Sequence, residues 1–226
     1  MTTASTSTLD KLDVLNHKYL ALTPEERIKN LYLDFKAGDI LLTSSFGTTA
    51  VYLLHMFYKQ DIRQAVHFID TSYHFEETLA YKAQLARLFD LEVIDVKPVD
   101  WKNEMTTKSR LWESQPDLCC AVNKVEPLNE VKAQYGVWIS GLMRWQTDHR
   151  RELTVFEEKN GLIKFYPLID VSEEDANQYL EQYQLPIHPL KPLGYESIGC
   201  KYCTIKGNKR EGRWTGKAKT ECGLHK

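Results

Sequence analysis

Five cysteines carry much of the chemistry this sequence offers. Cys119 and Cys120 are adjacent, Cys200 and Cys203 have two residues between them, and Cys222 stands near the end in Thr220-Glu221-Cys222-Gly223-Leu224-His225. Neighbouring Cα atoms lie about 3.8 Å apart, short of the usual disulfide span of roughly 4.4–6.8 Å, so Cys119 and Cys120 make a poor mutual disulfide. Four thiolates drawn from two segments suit a metal instead. Zinc usually takes two spaced C-x-x-C pairs, a four-iron cubane also takes four cysteines, and four buried unligated thiols are the third reading. Cys222 falls outside that set. It is either an incidental surface thiol on a terminal segment or a nucleophile that uses its position there.

Two further stretches are suited to anions. Ser44-Ser45-Phe46-Gly47-Thr48-Thr49 follows a short apolar run and opens a helical pattern. Backbone N–H groups at a helix N-terminus attract anions, and Ser and Thr hydroxyls can donate to the same oxygens. No Lys-Ser or Lys-Thr of a phosphate-binding loop follows, which disfavours a standard nucleoside triphosphatase. Lys206, Lys209, Arg210, Arg213, Lys217 and Lys219 form a basic run opposed by Glu211. It reads as a solvated tail, as an RNA-binding segment, or as a lid over a small anion, with Arg210 and Arg213 suited to sulfate or phosphate oxygens and Gly207, Gly212 and Gly216 as hinges. Asp70 to Thr78 follows another strand and either lines the same crevice or supplies turn and cap residues.

The elements that must position these residues alternate. Helices are expected from about Leu9 to Leu22 and, opened by the capping box at Thr23-Pro24-Glu25-Glu26, to about Lys36. "DILLTSSFG", "QAVHFID", "LEVIDVKPV" and "VWISGL" read as strands, with "LIKFYPLI" as a fifth. Helices are expected over "TTAVYLLHMFYK", "HFEETLAYKAQLARLF", Val122–Tyr135, and from Ser172 to Tyr183. Strands alternating with helices predict an α/β fold: a doubly wound, mostly parallel sheet with helices on both faces and a flexible C-terminal tail. Periodicity is lost after Gln184. The expected organisation is an N-terminal helical segment over 1–38, an α/β domain over 39–190, and a cysteine-bearing segment with the C-terminal tail over 191–226.

The 226 residues are 42% hydrophobic and 27% charged, enough for a sizeable core. A net charge of -2 implies no polyanion partner from bulk charge, so any anion site is local. No apolar run approaches the ~20 residues of a bilayer span, and "MTTASTSTLDKL" lacks the layout of a secretory leader. A cytoplasmic, reduced setting is expected, where tightly spaced cysteines bind metal or do catalysis.

Together, "CC" with "KVEPL" following, "GYESIGCKYCT", "REGRW" and the terminal "ECGLH" resemble the assimilatory adenylyl-sulfate and phosphoadenylyl-sulfate reductases, over about Gly38 to His225. The resemblance implies an adenine nucleotide alpha hydrolase-like fold and reduction of adenylyl sulfate to sulfite and AMP. It further implies a [4Fe-4S] cluster on Cys119, Cys120, Cys200 and Cys203. Cys222 would be the nucleophile that forms an S-sulfocysteine, and His225 would orient or polarise the tail. Thioredoxin or glutaredoxin would be the reductant. Ser44 to Thr49 would hold phosphosulfate oxygens, with Lys124 between cluster and substrate and Arg151, Arg210 and Arg213 completing a positive pocket. The chain departs from the family pattern at Asn123, where arginine is frequent, and at Met143 in a usually basic stretch. The resemblance implies no nucleic acid or membrane partner and allows a homo-oligomer. The alternatives are a phosphoadenylyl-sulfate reductase, an ATP-dependent thiolation enzyme of the same superfamily, or a cluster-bearing sensor. The thiolation enzymes carry "SGGxDS", which "SSFGTT" does not match.

Overall fold

The computed structural model describes the backbone of residues 4–217 and 219–225, with side chains from residue 11 onward. Two helices lead the chain, α1 (Ala4–Leu20) and α2 (Pro24–Asp34). The α2 capping box forms as its sequence predicts: the Thr23 hydroxyl accepts from the Glu26 N–H while the Glu26 carboxylate accepts from the Thr23 N–H. These helices are not a separate layer. Leu12, Tyr19, Ile28 and Leu31 join the main core, and the buried Arg27 donates to the Pro167 and Tyr19 carbonyls and to the Asp170 carboxylate.

The body is one six-stranded sheet in the order β3-β2-β1-β4-β6-β5. Its strands are β1 (Ile40–Thr43), β2 (Val66–Ile69), β3 (Val93–Val96), β4 (Val137–Ile139), β5 (Phe156–Lys159) and β6 (Leu162–Phe165). All pairings are parallel except β5 with β6. The crossover helices are α3 (Ala50–Lys59) and α4 (Glu76–Leu88), and after β3 come α5 (Asp100–Lys108), α6 (Leu111–Ser114), α7 (Pro116–Cys120) and α8 (Glu126–Lys132); α9 (Glu173–Gln182) follows β6. Strands β1 and β4 are buried along their whole length, as parallel strands covered on both faces must be.

Three features depart from the sequence expectation. Strand β5 was not anticipated, although Asn160-Gly161 with both φ positive (56° and 80°) closes the tight hairpin to β6. The helix expected from Val122 begins at Pro116 and passes through a π-turn at Ala121–Val125 before α8. The tail expected to be flexible is packed onto the domain. Lys217 donates to the carbonyls of Trp112 and Glu113 at the end of α6, Lys219 is buried and paired with Asp117, and Glu221 is buried. Lys217 and Lys219 thus find acceptors on the domain, which tie this part of the tail to it.

From β1 the chain builds β2 and β3 on one side, then crosses from β3 to β4 on the other side of β1, so the order reverses between β1 and β4. In open α/β sheets the crevice at the carboxyl ends of the strands at such a point is where ligands bind. No helix among the described residues is long and apolar enough to cross a membrane.

Candidate active site

A cleft of about 420 Å³ opens at that switch point. Its floor is the loop between β1 and α3. Ser44 donates its backbone N–H to the His67 carbonyl, and its hydroxyl accepts from the Phe46 N–H, which turns the chain tightly. Phe46 takes φ 47° there, and its ring is fully buried against Phe68 with centroids 5.6 Å apart. Its side chain is therefore a core anchor, and Phe46, counted with this turn among the substrate-binding residues, does not itself line the cleft. Ser44, Ser45, Gly47, Thr48 and Thr49 do line the cleft. Thr48 donates to the Glu196 carbonyl and so fastens this loop to the segment carrying Cys200.

The opposite wall comes from the β4 loop and the tail. Ser140, Trp145, Gln146 and Arg150 contribute from the former, and Arg210, Arg213, Glu221, Cys222 and His225 from the latter. Gln146 ties the two walls: its Nε2 donates to Thr49 Oγ1 at 3.3 Å, and its Oε1 accepts from Arg150. Arg151, expected in the pocket, is exposed and paired with Asp148 at 2.9 Å. The short 3-10 turn at Asp148–Arg150 turns Arg150 inward and leaves its neighbour in solvent. Arg150, and not Arg151, lines the cleft.

The positive charge in this cleft is concentrated and incompletely used. Arg213 is buried beside Trp214, its guanidinium carbon 4.4 Å from the ring centroid. Gly199 permits this, because a Cβ there would fall on the Arg213 guanidinium. Burial lowers Arg210 to about 10, with the Glu221 charge opposing the shift. Among the described residues, buried side-chain nitrogens without a partner are Nε of Arg150, Arg210 and Arg213, Nε1 of Trp145 and Trp214, and Nδ1 of His225 and His67. All but the last belong to residues lining this cleft. Buried donors without a partner are costly, and here they belong, His67 apart, to residues around one cleft.

Cys222 is half-buried in this wall, and the residues flanking it are pinned. Thr147 donates to Glu221 Oε1 at 3.1 Å, while Arg150 and Arg210 lie 3.0 and 3.2 Å from its carboxylate. On the other side His225 stacks on Trp138, and Lys132 and Lys164 reach the backbone carbonyls of Leu224 and His225.

The other four cysteines ring a second, small cavity with Tyr73, Trp112, Asn123, Tyr202 and Trp214. Cys119 and Cys120 arrive on α7; Cys200 and Cys203 flank a 3-10 turn fastened by the Lys201 N–H to the Tyr73 carbonyl at 2.7 Å. Burial pushes Cys119 up to about 12, with the neighbouring thiols adding to the shift. At Cys200 burial acts the same way, but Lys124, a hydrogen bond from Thr71 and Arg213 overcome it and hold the thiol below its ordinary value. Among the described residues no three His, Cys, Asp or Glu side chains are gathered tightly enough for a single ion. Asn123 is buried, donating to the Cys119 carbonyl at 2.9 Å and sharing Asn103 and Thr106, so at this departure from the family pattern it braces the cysteine segment. Met143 is a fully buried core residue.

Lys124, in the π-turn after Cys120, lines both cavities. Burial works against its charge, yet Cys200, Cys222 and Cys120 outweigh that and hold it above the ordinary lysine value. The Asp70–Thr78 segment divides between the two sites. Asp70 caps its own turn by accepting from the Ser72 N–H, Tyr73 faces the cysteines, and His74 lines the cleft. Arg150, Gln146, Trp145 and Glu221 are site residues that sequence reasoning missed.

Residues 39–206 match the phosphoadenosine phosphosulfate reductase domain. The chain is 38% identical over 197 residues to an adenosine 5'-phosphosulfate reductase of Bacillus cereus, covering 83% of this chain and 84% of that one. It is 37% identical over 203 residues to the Bacillus mycoides protein of the same name, covering 86% of each. Among solved structures, phosphoadenylyl-sulfate reductase from Candida auris in a phosphate complex superposes with a TM-score of 0.73 at 28% identity, over 85% of this chain and 95% of that one. Candida glabrata FMN adenylyltransferase, at 13% identity and a TM-score of 0.61 over 85% of this chain and 66% of that one, shares the fold. With the domain matched over most of the sheet and its carboxyl-edge loops, and with relatives alike along most of their length, the chain belongs to the phosphoadenosine phosphosulfate reductase domain family.

Proposed function

We propose that this chain reduces adenylyl sulfate to sulfite and AMP, taking electrons from a thioredoxin-like dithiol. The observation that carries the reading is one cleft that gathers a thiol, Cys222, with Arg150, Arg210, Arg213 and Lys124 and the hydroxyl-rich turn at Ser44–Thr49. A thiol among cations with unmet donors suits attack on a multiply charged anion. The relatives named for adenosine 5'-phosphosulfate support that substrate over its 3'-phosphorylated analogue.

The reaction is a transfer in two steps. The Cys222 thiolate attacks the sulfate sulfur, the bond from sulfur to the bridging oxygen breaks, and AMP leaves with that oxygen. Arg213 and Lys124 meet charge on the transferring group, and the turn at Ser44–Thr49 holds phosphate oxygens. A dithiol thiolate then attacks Cys222 Sγ, and the sulfur–sulfur electron pair departs with sulfite. The second thiol of the reductant closes its own disulfide and returns Cys222 as a thiol, so two electrons enter per sulfite. The tail has to release Cys222 from the cleft between these steps.

The second cavity supports a four-iron cluster better than zinc. All four cysteines line it, the number a cubane takes, and the vicinal pair departs from the two spaced pairs usual for zinc. Cys119, Cys120, Cys200 and Cys203 would hold it, and when bound it would supply charge on the far side of Lys124 from the substrate. A cytoplasmic setting accords with reduced thiols. Turnover of both sulfonucleotides by anaerobically purified protein tests the reading. A tenfold or greater kcat/KM preference for the 3'-phosphorylated compound would move the assignment to that substrate, and turnover of neither would reject it.

A further inference from the structure

Gln146 stands between the two walls of the cleft, with donors on one side of its amide and a hydroxyl on the other. Its Oε1 accepts from Arg150 Nη1 and, at 3.3 Å, from the Met143 N–H. A guanidinium and a backbone N–H can only donate, so Oε1 and not Nε2 must face them. That orientation aims Nε2 at Thr49 Oγ1, 3.3 Å away on the opposite wall. Thr49 is the N-cap residue of α3, yet its side chain makes no cap hydrogen bond. Its oxygen accepts from Gln146 instead. Thr49, Gln146 and Arg150 all line the cleft.

We infer that Gln146 is a positioning residue for the anionic part of the substrate: one amide presets a guanidinium and a hydroxyl, from opposite walls, so that both offer hydrogens to the anion. The inference rests on the proposed reaction for the identity of that anion. On the Arg150 side, Gln146 occupies Nη1 and restrains the planar fork, while the buried Nε has no partner among the described residues. On the Thr49 side, the hydroxyl has a single proton to give. With Gln146 Nε2 on its oxygen, that proton turns away from the amide and toward the cleft. Donors set in advance cost no reorganisation when charge arrives. A carboxylate at this position would keep its hold on Arg150 but accept from Thr49, drawing the hydroxyl proton out of the cleft. The amide is needed for its two unlike ends and not for its size.

ADP is the probe, since its terminal phosphate stands where adenylyl sulfate carries sulfate and it has no sulfur to transfer. Adenosine, with base and sugar alone, is the reference, and both affinities are read by calorimetry on the full-length anaerobic protein. Gln146→Glu and Gln146→Met are each expected to weaken ADP at least tenfold while adenosine stays within twofold, the second variant removing the polar ends without adding charge. Thr49→Val is expected to weaken ADP at least threefold, and Thr49→Ser less than twofold. In the Gln146→Met background, Thr49→Val should cost less than twofold, because the hydroxyl is no longer aimed. A structural brace would lower adenosine along with ADP and would not make one cost depend on the other. The Thr49 pair decides the matter should a residue-146 variant fail to fold. ADP affinity within twofold of normal in Gln146→Met or in Thr49→Val overturns the inference, as do equal losses of ADP and adenosine, or no ADP binding to the unaltered protein. Turnover of adenylyl sulfate is scored separately. Its absence beside the expected ADP results rejects the proposed reaction and spares the role of Gln146, whereas turnover with ADP insensitive to residue 146 rejects that role alone.

Discussion

His225 lies flat on Trp138, with ring centroids 4.5 Å apart and planes 7° from parallel, and the Lys132 ammonium covers the same indole at 3.7 Å from its centroid. The stack fixes the last turn of the tail over the end of β4. Protonating the ring there is disfavoured. Burial first, and then the charges of Arg150, Lys132, Lys164 and His149, hold its pKa well below the ordinary value.

A pH dependence follows with a definite sign. The folded pKa is depressed, so docking is undisturbed above about 6.5, the ordinary histidine value. As pH falls through that value the released tail binds a proton that the docked tail cannot, and docking weakens. Carboxypeptidase trimming past His225 is expected to accelerate between pH 7.5 and 5.5 in the unaltered protein. In His225→Phe, which keeps a flat ring on Trp138, the acceleration over that range should vanish. Equal acceleration in both proteins would remove His225 as the cause.

How far the sequence disclosed this site depended on whether local pattern or tertiary placement decided each residue. The turn at Ser44–Thr49 was legible because strand, small polar residues and helix follow one another within a dozen positions. The inward turn of Phe46 was not, because its φ of 47° is set by the Ser44 hydroxyl and the Phe68 face. Strand β5 has a local hairpin signal in Asn160-Gly161, but its alternation is too short to mark it as a strand without β6 beside it. Arg150 and Arg151 are consecutive and chemically identical, so only the turn that carries them distinguishes pocket from solvent. Glu221 gains its meaning from residues 71 and 11 positions away, Arg150 and Arg210, a relation no local pattern carries.

The cysteine quartet yields a prediction on composition. Protein purified without oxygen is expected to carry about four iron and four labile sulfides. Cys119→Ser or Cys200→Ser should lose most of the iron and lower the thermal midpoint, since the site joins α7 to the segment behind Gly199. Cys222→Ser should keep full iron content, because that residue lines the other cavity. One equivalent of zinc with no sulfide would sink the cluster assignment.

Lys124 stands at the wall between the two cavities, so its removal should separate binding from assembly. Lys124→Met keeps the length of the stem and deletes the charge facing Cys222. The loss of a charge-assisted contact is on the order of 1.5–3 kcal/mol, or roughly 10- to 150-fold in kcat/KM. Iron content should stay near that of the unaltered protein. A variant that loses iron and activity in parallel would make Lys124 a structural support of the cysteine site instead.

Covalent transfer to Cys222 is checked by trapping it. Sulfur-labelled adenylyl sulfate added without reductant should leave label on the protein, released as sulfite on addition of a dithiol. Cys222→Ser should take up no label and make no sulfite, yet still bind AMP, because the anion contacts come from other residues. Sulfite production by Cys222→Ser would refute the covalent route.

The two neighbouring arginines offer the sharpest contrast. Arg150 is buried, shares Glu221 and Gln146, and lines the cleft; Arg151 is exposed, with Asp148 for a partner. An exposed ion pair is worth about 0–1 kcal/mol, so Arg151→Ala should leave kcat/KM within about twofold. Arg150→Ala removes one partner of a buried pair, a loss that runs to about 3–5 kcal/mol where no other donor remains. Here Arg210 and Thr147 still hold Glu221, so the effect on folding should be smaller than that range. The larger consequence falls on the substrate, which loses one of two guanidinium edges. ADP affinity and kcat/KM are both expected to fall at least tenfold in Arg150→Ala, with Arg150→Lys recovering only part because an ammonium cannot offer a planar fork. Steady-state kinetics on the two alanine variants decide it. A large loss in Arg151→Ala with Arg150→Ala near normal would return the anion contact to Arg151 and displace the arrangement of the β4 loop described above.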